Sequence, residues 1–395
     1  MTGQQFDLVI VGGGMVGASL ALGLAHYAPK LKLALIEAQP LDFGQHPGFD
    51  GRAIALSAGS VNWLKQAQLW DELASFAAPI SHIQVSDRGH LGRVDMLPDD
   101  YLLDSLGQVI ELEHAGRILH QRLSQCPQVT LFCPNAIRSF ERTDDSVELE
   151  LEGGESLSAS LLVGADGGNS QVRGWADLTQ HHHDFGKVAL IANIEGEQAP
   201  NGRAFERFTE DGPLALLPMT GQRWSLVWSL SPEQADYYQQ CPEHEFLSAL
   251  QAQVGEQAGA MLRVGQRHCY PLLLRYSPRL FSHRMLVMGN AAHTLHPIAG
   301  QGFNLGLRDV AALCKLLADS EQDPGSFALL HAYQQGREQD IQRTVLMTSL
   351  LASGFASKDK LSIVARNIGL VAMQHLDCLK VPLVRQSLGL FEPLA

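Results

Sequence analysis

Four residues near the start of the chain have the types and spacing that bind a dinucleotide. Gly12, Gly14 and Gly17 form the pattern G-x-G-x-x-G, and Glu37 follows twenty residues after Gly17. The first glycine permits a tight turn, the second lets the backbone approach a pyrophosphate, and the third lets a helix pack closely on a strand. The acidic residue accepts hydrogen bonds from a ribose diol and would repel a 2′-phosphate. The pattern therefore predicts binding of FAD or NAD rather than NADP.

The elements that must position these residues can also be read. Residues 7–11 are an apolar run that predicts a buried strand, and residues 15–26 predict the helix that follows it. Residues 31–36 predict a second strand that ends on Glu37. In such a unit the N-terminus of the helix offers free N–H groups to phosphates. A glycine turn in some other α/β protein is the alternative, and the complete strand–helix–strand order argues against it.

Two later motifs point to the same kind of ligand. Asp166 follows an apolar run, at the carboxyl end of a predicted strand, where α/β sheets bind ligands. Gly289-Asn290 follows another apolar run, and Gly300 and Gly302 precede a helical stretch. Backbone N–H groups before a helix can stabilise negative charge on a reduced flavin. Taken singly, each motif could instead be a simple turn.

Size, charge and cysteine content restrict the class of protein. The chain has 395 residues, enough for two domains or one large elaborated domain, and its net charge of −13 argues against a nucleic-acid partner. Its six cysteines include no C-x-x-C pair, which favours a reducing compartment over a disulfide framework or a zinc site. No stretch gives about 18 uninterrupted apolar residues, and the apolar N-terminus is interrupted by Asp7 and glycines. We therefore expect neither a spanning helix nor a signal peptide, and a cytoplasmic location.

Together the three motifs resemble those of the FAD-dependent aromatic-ring monooxygenases, along nearly the whole chain. Closer similarity to the ubiquinone-biosynthesis hydroxylases of that family is carried by four further segments, residues 47–56, 85–90, 202–209 and 295–306. The resemblance implies that NADPH or NADH reduces a bound FAD and that an oxygen atom of O2 is transferred to the ring of a prenylated phenol. Because only one dinucleotide fingerprint is present, the nicotinamide cofactor is expected to bind transiently.

The resemblance also implies which residues contact FAD. The glycine motif and Glu37 would hold the ADP half, and two arginines would lie along the pyrophosphate and ribityl chain. The full set is Gly12, Gly14, Gly17, Glu37, Arg52, Arg117, Asp166, Gly289, Asn290, Gly300, Gly302 and Asn304. One residue departs from the family pattern, because Asn290 stands where an aspartate is usual. Asparagine keeps an acceptor oxygen but loses the charge, so FAD binding is expected to persist.

The fold class expected is α/β, with a Rossmann-like FAD-binding domain, an inserted antiparallel β-sheet substrate domain and C-terminal helices. Alternating apolar patterns between residues 188 and 228 predict the antiparallel sheet, whose apolar residues are expected to form a substrate wall or plain core. The domain boundaries predicted are 1–79, 105–178 and 270–340 for the FAD-binding domain, 80–104 and 179–269 for the substrate domain, and 341–395 for the C-terminal helical segment.

No catalytic acid or base stands out in the sequence. His293 and His296 lie shortly before the Gly300–Gly302 loop, which we call the flavin loop, and are candidates for phenol deprotonation. A loop or core role is the alternative. Residues 181–183 are three consecutive histidines, which cannot easily converge on one ion and predict an exposed loop. We therefore expect no metal site.

The C-terminal segment differs from the rest of the chain in charge. Residues 341–395 hold six basic and three acidic residues, and apolar residues recur there at helical spacing. A basic amphipathic helix can lie on an anionic membrane, which would make the protein peripheral on the inner membrane. Helices that simply cover the core are the alternative. A homo-oligomer and a multi-enzyme ubiquinone-biosynthesis assembly are further expectations.

Three rival functions remain at the level of sequence. One is a paralogous hydroxylase that attacks another ring position. Another is a different flavoenzyme of the same fold, such as a prenyl-chain reductase or a halogenase, although the G-W-x-W-x-I-P motif of halogenases is absent. The third is a non-catalytic flavin-binding scaffold or prenyl-lipid carrier, since fold alone does not define function.

Overall fold

The computed structural model describes residues 3–40, 52–295, 300–356 and 360–390. Its first elements are β1 (Gln4–Val11), α1 (Met15–Tyr27), β2 (Leu33–Ile36), β3 (Ala53–Ser57), α2 (Ala58–Gln66), α3 (Trp70–Ala74), β4 (Ala77–Ile80), β5 (His82–Asp87), β6 (Arg93–Met96), β7 (Gly107–Glu111), α4 (Leu112–Ser124), β8 (Val129–Phe132), β9 (Ile137–Arg142), β10 (Val147–Leu151) and β11 (Ser156–Gly164). The later elements are α5 (Gln171–Trp175), β12 (His181–Gly196), β13 (Arg203–Thr209), β14 (Gly212–Pro218), β15 (Arg223–Leu230), α6 (Pro232–Gln240), α7 (Glu243–Val254), β16 (Met261–Val264), β17 (His268–Tyr276), β18 (Phe281–Ser282), β19 (Met285–Val287), β20 (His293–Thr294), α8 (Gln301–Ala318), α9 (Phe327–Ala356), α10 (Lys360–His375) and α11 (Asp377–Leu388). Two short 3-10 turns cover Pro98–Tyr101 and Gly289–Ala291.

The first sheet is a mostly parallel one that brings the three motifs to one edge. Its strand order is β18-β19-β11-β1-β2-β8, with β9 and β10 attached beside β11. Strands β19, β11, β1, β2 and β8 run parallel, so their carboxyl ends meet at the same edge. The last residue of β1, Val11, pairs with Ile36 on one side and Gly164 on the other, and Gly164 pairs with Val287. The glycine turn, Glu37, Asp166 and Gly289 therefore all follow this edge.

Burial explains why the strands of this sheet can be predicted from the sequence. The middle of β1, residues 8–10, is fully buried on both faces, as expected for a strand covered by helices on each side. Helix α1 is apolar almost all round because it lies between the sheet and α8. Close packing there is possible because Gly23 lies against Cys314 and Trp63. The apolar runs that predict β1, α1 and β2 thus reflect burial on all sides.

The second sheet is mainly antiparallel, with the order β20-β17-β12-β15-β14-β13-β5-β6, and β16 pairs with β12. One face packs against α7 and forms a separate core that includes Trp224, Trp228 and Phe246. The other face turns toward the first sheet and the C-terminal helices. A third, three-stranded sheet in the order β3-β7-β4 links the two larger ones.

The last two helices lie across the open side of the second sheet. Helix α10 is held to β6 and the turn before it, where Asn367 Oδ1 accepts from Gly92 N at 2.9 Å and Gln374 Oε1 accepts from Asp95 N at 2.8 Å. Helix α11 reaches α9, where Gln386 Nε2 donates to Asp340 Oδ1 at 2.9 Å. In the described ranges, no helix is long and apolar enough to span a membrane.

The secondary structure follows the sequence predictions with one difference, at residues 181–183. The strand, helix and second strand of the first motif are confirmed as β1, α1 and β2. The predicted strand before Asp166 is confirmed as the last part of β11. The three histidines at 181–183 begin the strand β12 rather than a loop. Strands β17 and β20, which lie mostly within residues 270–340, pair in the second sheet. The division into domains stays a prediction.

Candidate active site

The glycine turn has the geometry of a phosphate-binding turn. Gly12 adopts a φ of +100°, and a side chain there would collide with the backbone of Ala165. A Cβ on Gly17 would overlap the carbonyl oxygen of Gly12. Gly14 is the N-cap of α1 and has open space where a Cβ would be, and no side chain caps this helix. The N-terminus of α1 therefore points its backbone N–H groups into open space, as an anion site requires.

Glu37 is held rigidly beside this turn. It follows β2, is 6% exposed, and its Oε2 accepts from Gly13 N at 2.6 Å while its Oε1 accepts from Gln39 N at 2.7 Å. On the far side of the turn, His120 of α4 donates from Nε2 to the Gly13 carbonyl oxygen at 2.6 Å. The carboxylate and the glycine backbone are thus fixed relative to each other.

Asp166 carries an acceptor that the protein itself does not use. Its Oδ2 accepts from Gln171 N and Val172 N, at 2.7 and 3.2 Å, at the start of α5. Its Oδ1 is buried and has no hydrogen-bond partner among the residues that the structure describes. Since buried carboxylate oxygens are normally hydrogen-bonded, this atom indicates a missing donor. A hydroxyl group of a bound dinucleotide is a suitable one.

A cluster of buried charges supports the turn at Gly289. Asp309 of α8 accepts from Gly289 N at 3.0 Å, from His293 Nε2 at 2.7 Å and from Arg337 Nε at 2.8 Å. Burial opposes ionisation of Asp309, but the charges and hydrogen bonds of His293 and Arg337, with the Gly289 N–H, outweigh it and lower the pKa of Asp309 to about 2. Asn290 is exposed and lines the cavity described below. The aspartate that anchors this turn is therefore Asp309.

The loop before α8 is held by Asn304. Gly300, with a φ of +58°, is the N-cap of α8, and Gly302 has open space where a Cβ would be. The Asn304 amide donates to Ala55 O at 2.8 Å and to Gly300 O at 2.7 Å, and its Oδ1 accepts from Ser57 N at 2.8 Å. Asn304 thus fixes the loop against β3 rather than offering its amide to a ligand.

These residues surround one cavity of about 1870 Å³. A pocket for a single small ligand is usually about 300–1,000 Å³, so this one has room for a dinucleotide and a second ligand. We call its two parts the dinucleotide half, around Gly14, Glu37 and Asp166, and the apolar half, between the second sheet and helices α9–α11. Arg52 lies between them and stacks over Tyr270 at 4.9 Å.

The apolar half is lined by alternate residues of the second sheet. Ala215 and Leu217 of β14 and Val227 of β15 face the cavity. Their neighbours Leu214, Leu216, Trp224 and Trp228 face the opposite core. Because side chains alternate along a strand, only half of the apolar residues expected to form a substrate wall face the cavity, and the other half belong to the core. Opposite it, α9, α10 and α11 contribute side chains such as Met347, Leu370 and Leu383.

One ionisable group interrupts the apolar wall. Glu206 of β13 is partly buried, lines the cavity and pairs across the sheet with Ala215 and Val85. It makes no hydrogen bond or ion pair with any residue in the described ranges. Burial raises the pKa of Glu206 to about 7.

Several sequence candidates have different positions from those expected. Arg117 is exposed on α4 and stacks over Phe76 at 5.4 Å, away from the residues that line the cavity. His293 is fully buried beside Asp309 and also does not line the cavity, which favours its alternative role as a core histidine. His296 lies outside the described residues. No group of His, Cys, Asp and Glu that could hold a metal ion occurs in the described part of the chain.

Three residues of the site were missed by sequence reasoning, and each had a visible signal. Glu206 is a carboxylate between Ala204 and Phe208 on an otherwise apolar strand face. Asp309 is a charged residue inside an apolar helical stretch, and His120 lies on the buried face of α4. A lone polar residue on a buried face normally has a specific partner. Which partner it has depends on the tertiary structure.

Comparisons with known proteins show which family the chain belongs to. The sequence profile of the family FAD_binding_3, described as "FAD binding domain", matches residues 5–348. Ubiquinone hydroxylase UbiL of Rhodospirillum rubrum is 33% identical over 97% of this chain and 89% of the relative. The 3-demethoxyubiquinol 3-hydroxylase of Escherichia coli is 33% identical over 99% of this chain and 100% of the relative. The crystal structure of p-nitrophenol 4-monooxygenase PnpA from Pseudomonas putida has a TM-score of 0.79 at 19% identity and covers 98% of both chains, which supports the fold.

The chain therefore belongs to the FAD-binding family of aromatic-ring monooxygenases, and within it to the ubiquinone-biosynthesis hydroxylases. It is an FAD-dependent aromatic monooxygenase. The residues present fit FAD in three respects: the uncapped N-terminus of α1, the fixed carboxylate of Glu37 and the unpartnered Asp166 Oδ1.

Proposed function

We propose that this protein hydroxylates the ring of a prenylated phenol in ubiquinone biosynthesis. The substrate we propose is 2-octaprenyl-6-methoxyphenol, converted to the corresponding benzoquinol with O2 and NADPH or NADH. The observation that carries the proposal is the cavity described above, in which the dinucleotide half opens directly into an apolar half large enough for a ring with an apolar chain. The names of the relatives support the pathway, and the ring position is our own assignment.

The FAD contacts that we propose follow the cavity. Gly12, Gly14 and the N-terminus of α1 would hold the pyrophosphate, and Glu37 the ribose. The other residues proposed to lie along the cofactor are Gly17, Arg52, Asp166, Gly289, Asn290, Gly300, Gly302 and Asn304. Of these, Gly17, Gly289 and Asn304 would act by shaping the backbone, because their own contacts are within the protein. We leave Arg117 out of the set because of its distant position.

Reduced FAD supplies the activation of O2 and the transfer of one oxygen atom to the ring. The protein's own task is to hold the phenol against the flavin edge and to exclude water. Side chains from the sheet and from α9–α11 enclose the apolar half, including Val227, Met347 and Leu370. Exclusion of water protects the reactive cofactor and strengthens polar interactions within the site.

The C-terminal helices provide a route for an apolar substrate, and we propose that they contact a membrane surface. On α10, Val364, Ile368 and Val371 are exposed and lie on one face. Leu350 and Leu383 are exposed too and also line the cavity, so the apolar surface is continuous with the cavity. Since the substrate is a membrane lipid, such a surface would allow it to enter directly.

The basic residues of the C-terminal segment contribute less to the proposed membrane contact than their number in the sequence suggests. Arg366 forms an ion pair with Asp87, and Lys380 with Asp100, at 3.0 and 3.5 Å. Arg343 and Arg385 are exposed, whereas the side chains of residues 358 and 360 lie outside the described set. We therefore attribute membrane contact mainly to the apolar side chains.

Product analysis tests the proposed function. Purified FAD-loaded protein is mixed with NADH or NADPH, a short-chain 2-prenyl-6-methoxyphenol and ¹⁸O₂. We expect a product heavier by one ¹⁸O atom, whose substitution pattern gives the ring position. Oxidation of the nicotinamide with unchanged phenol, both alone and with detergent-solubilised membranes added, would contradict the proposal and favour a reductase or a scaffold.

A further inference from the structure

The residues of β5, β6 and β12–β15 that line the cavity are apolar except at one position. The register places Glu206 between Val85 of β5 and Ala215 of β14, and Ala215 pairs with Val227 of β15. On β13 itself, the residues that share this face are Ala204 and Phe208. A glutamate in this setting loses hydration and gains nothing from its neighbours, which is costly for a purely structural residue.

Each other charged group that lines the cavity has its own contacts. Glu37 accepts two backbone N–H groups, and Asp166 accepts two more through Oδ2. Arg52 stacks over Tyr270. Arg366 is fixed to Asp87 by two hydrogen bonds, at 3.0 and 3.1 Å. Glu206 differs from all of them, because none of the described residues offers it a donor.

We propose that Glu206 binds the hydroxyl group of the phenol substrate and accepts its proton. This inference rests on the proposed function, since it requires a phenol in the apolar half of the cavity. In the step, the phenolic O–H bond breaks, the proton goes to the Glu206 carboxylate, and its electron pair stays on the oxygen. The resulting phenolate has more electron density on its ring, which is where the oxygen atom is added. Glu206 is thereby assigned as the catalytic base.

The titration behaviour of Glu206 suits this role. A general base works best when its pKa lies near the working pH, and burial places that of Glu206 at about 7. On β5 and α10, Asp87 and Arg366 form an ion pair with each other, and Asn367 also donates to Asp87. The cause of the raised pKa of Glu206 is burial. Arg52, Glu37 and Asp166 lie toward the dinucleotide half. Loss of hydration therefore dominates.

The alternative base, His293, is excluded by its surroundings. It is fully buried, its Nε2 donates to Asp309 Oδ2 at 2.7 Å, and it does not line the cavity. A proton acceptor must reach the substrate oxygen directly or through one water molecule. Glu206 meets this requirement because its side chain borders the cavity itself.

The first test measures binding and requires no turnover. FAD-loaded protein is titrated with a short-chain 2-prenyl-6-methoxyphenol and with its methyl ether, between about pH 5.5 and pH 8.5. We expect wild-type protein to bind the phenol roughly tenfold more tightly above pH 7 than below pH 6, because the carboxylate accepts a stronger hydrogen bond than the neutral acid. The methyl ether should show no such increase. Glu206→Gln should abolish the increase, and Glu210→Gln, at an exposed turn, should retain it.

The second test measures turnover. We expect Glu206→Gln to lower the rate of product formation about a hundredfold or more at pH 7, with unchanged FAD content. Ring-fluorinated phenols, which lose their proton more readily, should recover much of that rate in Glu206→Gln. A role in structure alone would lower the rates of all phenols equally.

The outcomes separate the inference from the proposed function. If wild-type protein hydroxylates the phenol but binds it with no dependence on pH, or if Glu206→Gln keeps the wild-type pH profile, the role of Glu206 is refuted and the hydroxylase remains. If the pH-dependent binding is observed and no phenol is hydroxylated, the proposed reaction is refuted and Glu206 remains the phenol-binding group.

Discussion

Glu37 and Asp166 illustrate how single residues prepare a site for a cofactor. Both carboxylates follow parallel strands, and both accept backbone N–H groups that fix their orientation. A carboxylate oriented by the backbone needs no rearrangement when a hydroxyl group arrives, so little ordering entropy is lost on binding. The dinucleotide half is therefore preorganised at the level of individual side chains.

The ribose-binding role that we propose for Glu37 can be tested by reversing its charge. We expect Glu37→Arg to reduce FAD affinity at least about tenfold, because the hydrogen bonds to the diol and those to Gly13 N and Gln39 N are lost. The measurement is the ratio of flavin to protein absorbance after purification, followed by titration with FAD. Glu141→Arg, on the exposed face of β9, is the control. Equal flavin content in both variants would rule out the assigned role.

Gly17 offers a steric test of the same turn. A Cβ at this position would overlap the Gly12 carbonyl oxygen, which is backbone and cannot move aside without opening the turn. We expect Gly17→Ala to yield protein that melts several degrees lower and retains little FAD. Gly174→Ala in the short helix α5 is the control, because nothing lies within 4 Å of its Cβ position. Full flavin retention in Gly17→Ala would contradict the close packing of α1 on β1.

The burial of Glu206 predicts a dependence of stability on pH. Its folded-state pKa of about 7 lies above the usual 4.5, so folding favours the neutral carboxyl. That contribution is present below about pH 4.5 and is lost as the pH rises through about 7. We expect Glu206→Gln to melt a few degrees above wild type at about pH 8.5 and close to it at about pH 5. Thermal denaturation of both proteins and of Glu210→Gln measures this, and equal melting curves at high pH would show that Glu206 is well hydrated.

At the scale of elements, buried ion pairs connect α8 and α9 and fix their relative position, which apolar packing alone would specify less strictly. Asp309 of α8 binds Arg337 of α9, and Arg337 also binds Asp340, at 2.8 Å in each case. Arg308 of α8 reaches Asp340 at 2.8 Å. Because Asp309 also holds the Gly289 turn, the position of that turn depends on the packing of α8 against α9. Buried ionic groups of this kind define one arrangement of helices rather than adding much net stability.

Removal of one charge from this cluster should strongly destabilise the fold. We expect Asp309→Asn to lower the free energy of unfolding by about 3 kcal/mol or more, since it removes the buried carboxylate to which Arg337 Nε and His293 Nε2 donate and leaves Arg337 only Asp340 as a counter-charge. Denaturant unfolding measures the change, and flavin content reports on the Gly289 turn. Asp319→Asn, exposed at the end of α8, should change neither. A stability loss below about 1 kcal/mol would show that the cluster tolerates an uncharged partner.

At the scale of the whole molecule, the C-terminal helices close the apolar half and also present apolar side chains outward. Leu91 and Leu102, which are 96% and 95% exposed, lie in the two loops that flank β6, the strand on which α10 rests. Large apolar surfaces on a folded protein usually mark an interaction site. If the proposed membrane contact holds, a surface that borders the cavity would couple that contact with substrate entry.

Substitution of the outer face of α10 tests this coupling. We expect Val364→Ser, Ile368→Ser and Val371→Ser together to lower binding to phosphatidylglycerol-containing vesicles at least about tenfold, because each buried apolar side chain contributes about 1–3 kcal/mol. Flotation of FAD-loaded protein with vesicles measures binding. Leu262→Ser, equally exposed on β16, is the control. Unchanged flotation of the triple variant would indicate that this face binds another partner.

The sequence by itself determined which residues form the dinucleotide half of the cavity. Gly12, Gly14, Gly17 and Glu37 are readable because their contacts are local or follow from the parallel strands that end beside them. Apolar runs such as residues 7–11 predict buried strands for the same reason, since burial on both faces leaves a continuous pattern. Family membership follows from these motifs and their order along the chain.

Only the tertiary structure decided which side chains line the apolar half of the cavity. Alternation on β14 and β15 shows that each strand has two faces, but only packing decides that Ala215 and Val227 face the cavity while Trp224 and Trp228 face α7. The same holds for Glu206, whose place opposite α9–α11 joins segments far apart in the chain. It holds for His293 as well, which lies near the flavin loop in sequence but is turned into the core by Asp309. Local sequence specifies which groups a strand or helix offers, and long-range packing specifies what those groups meet.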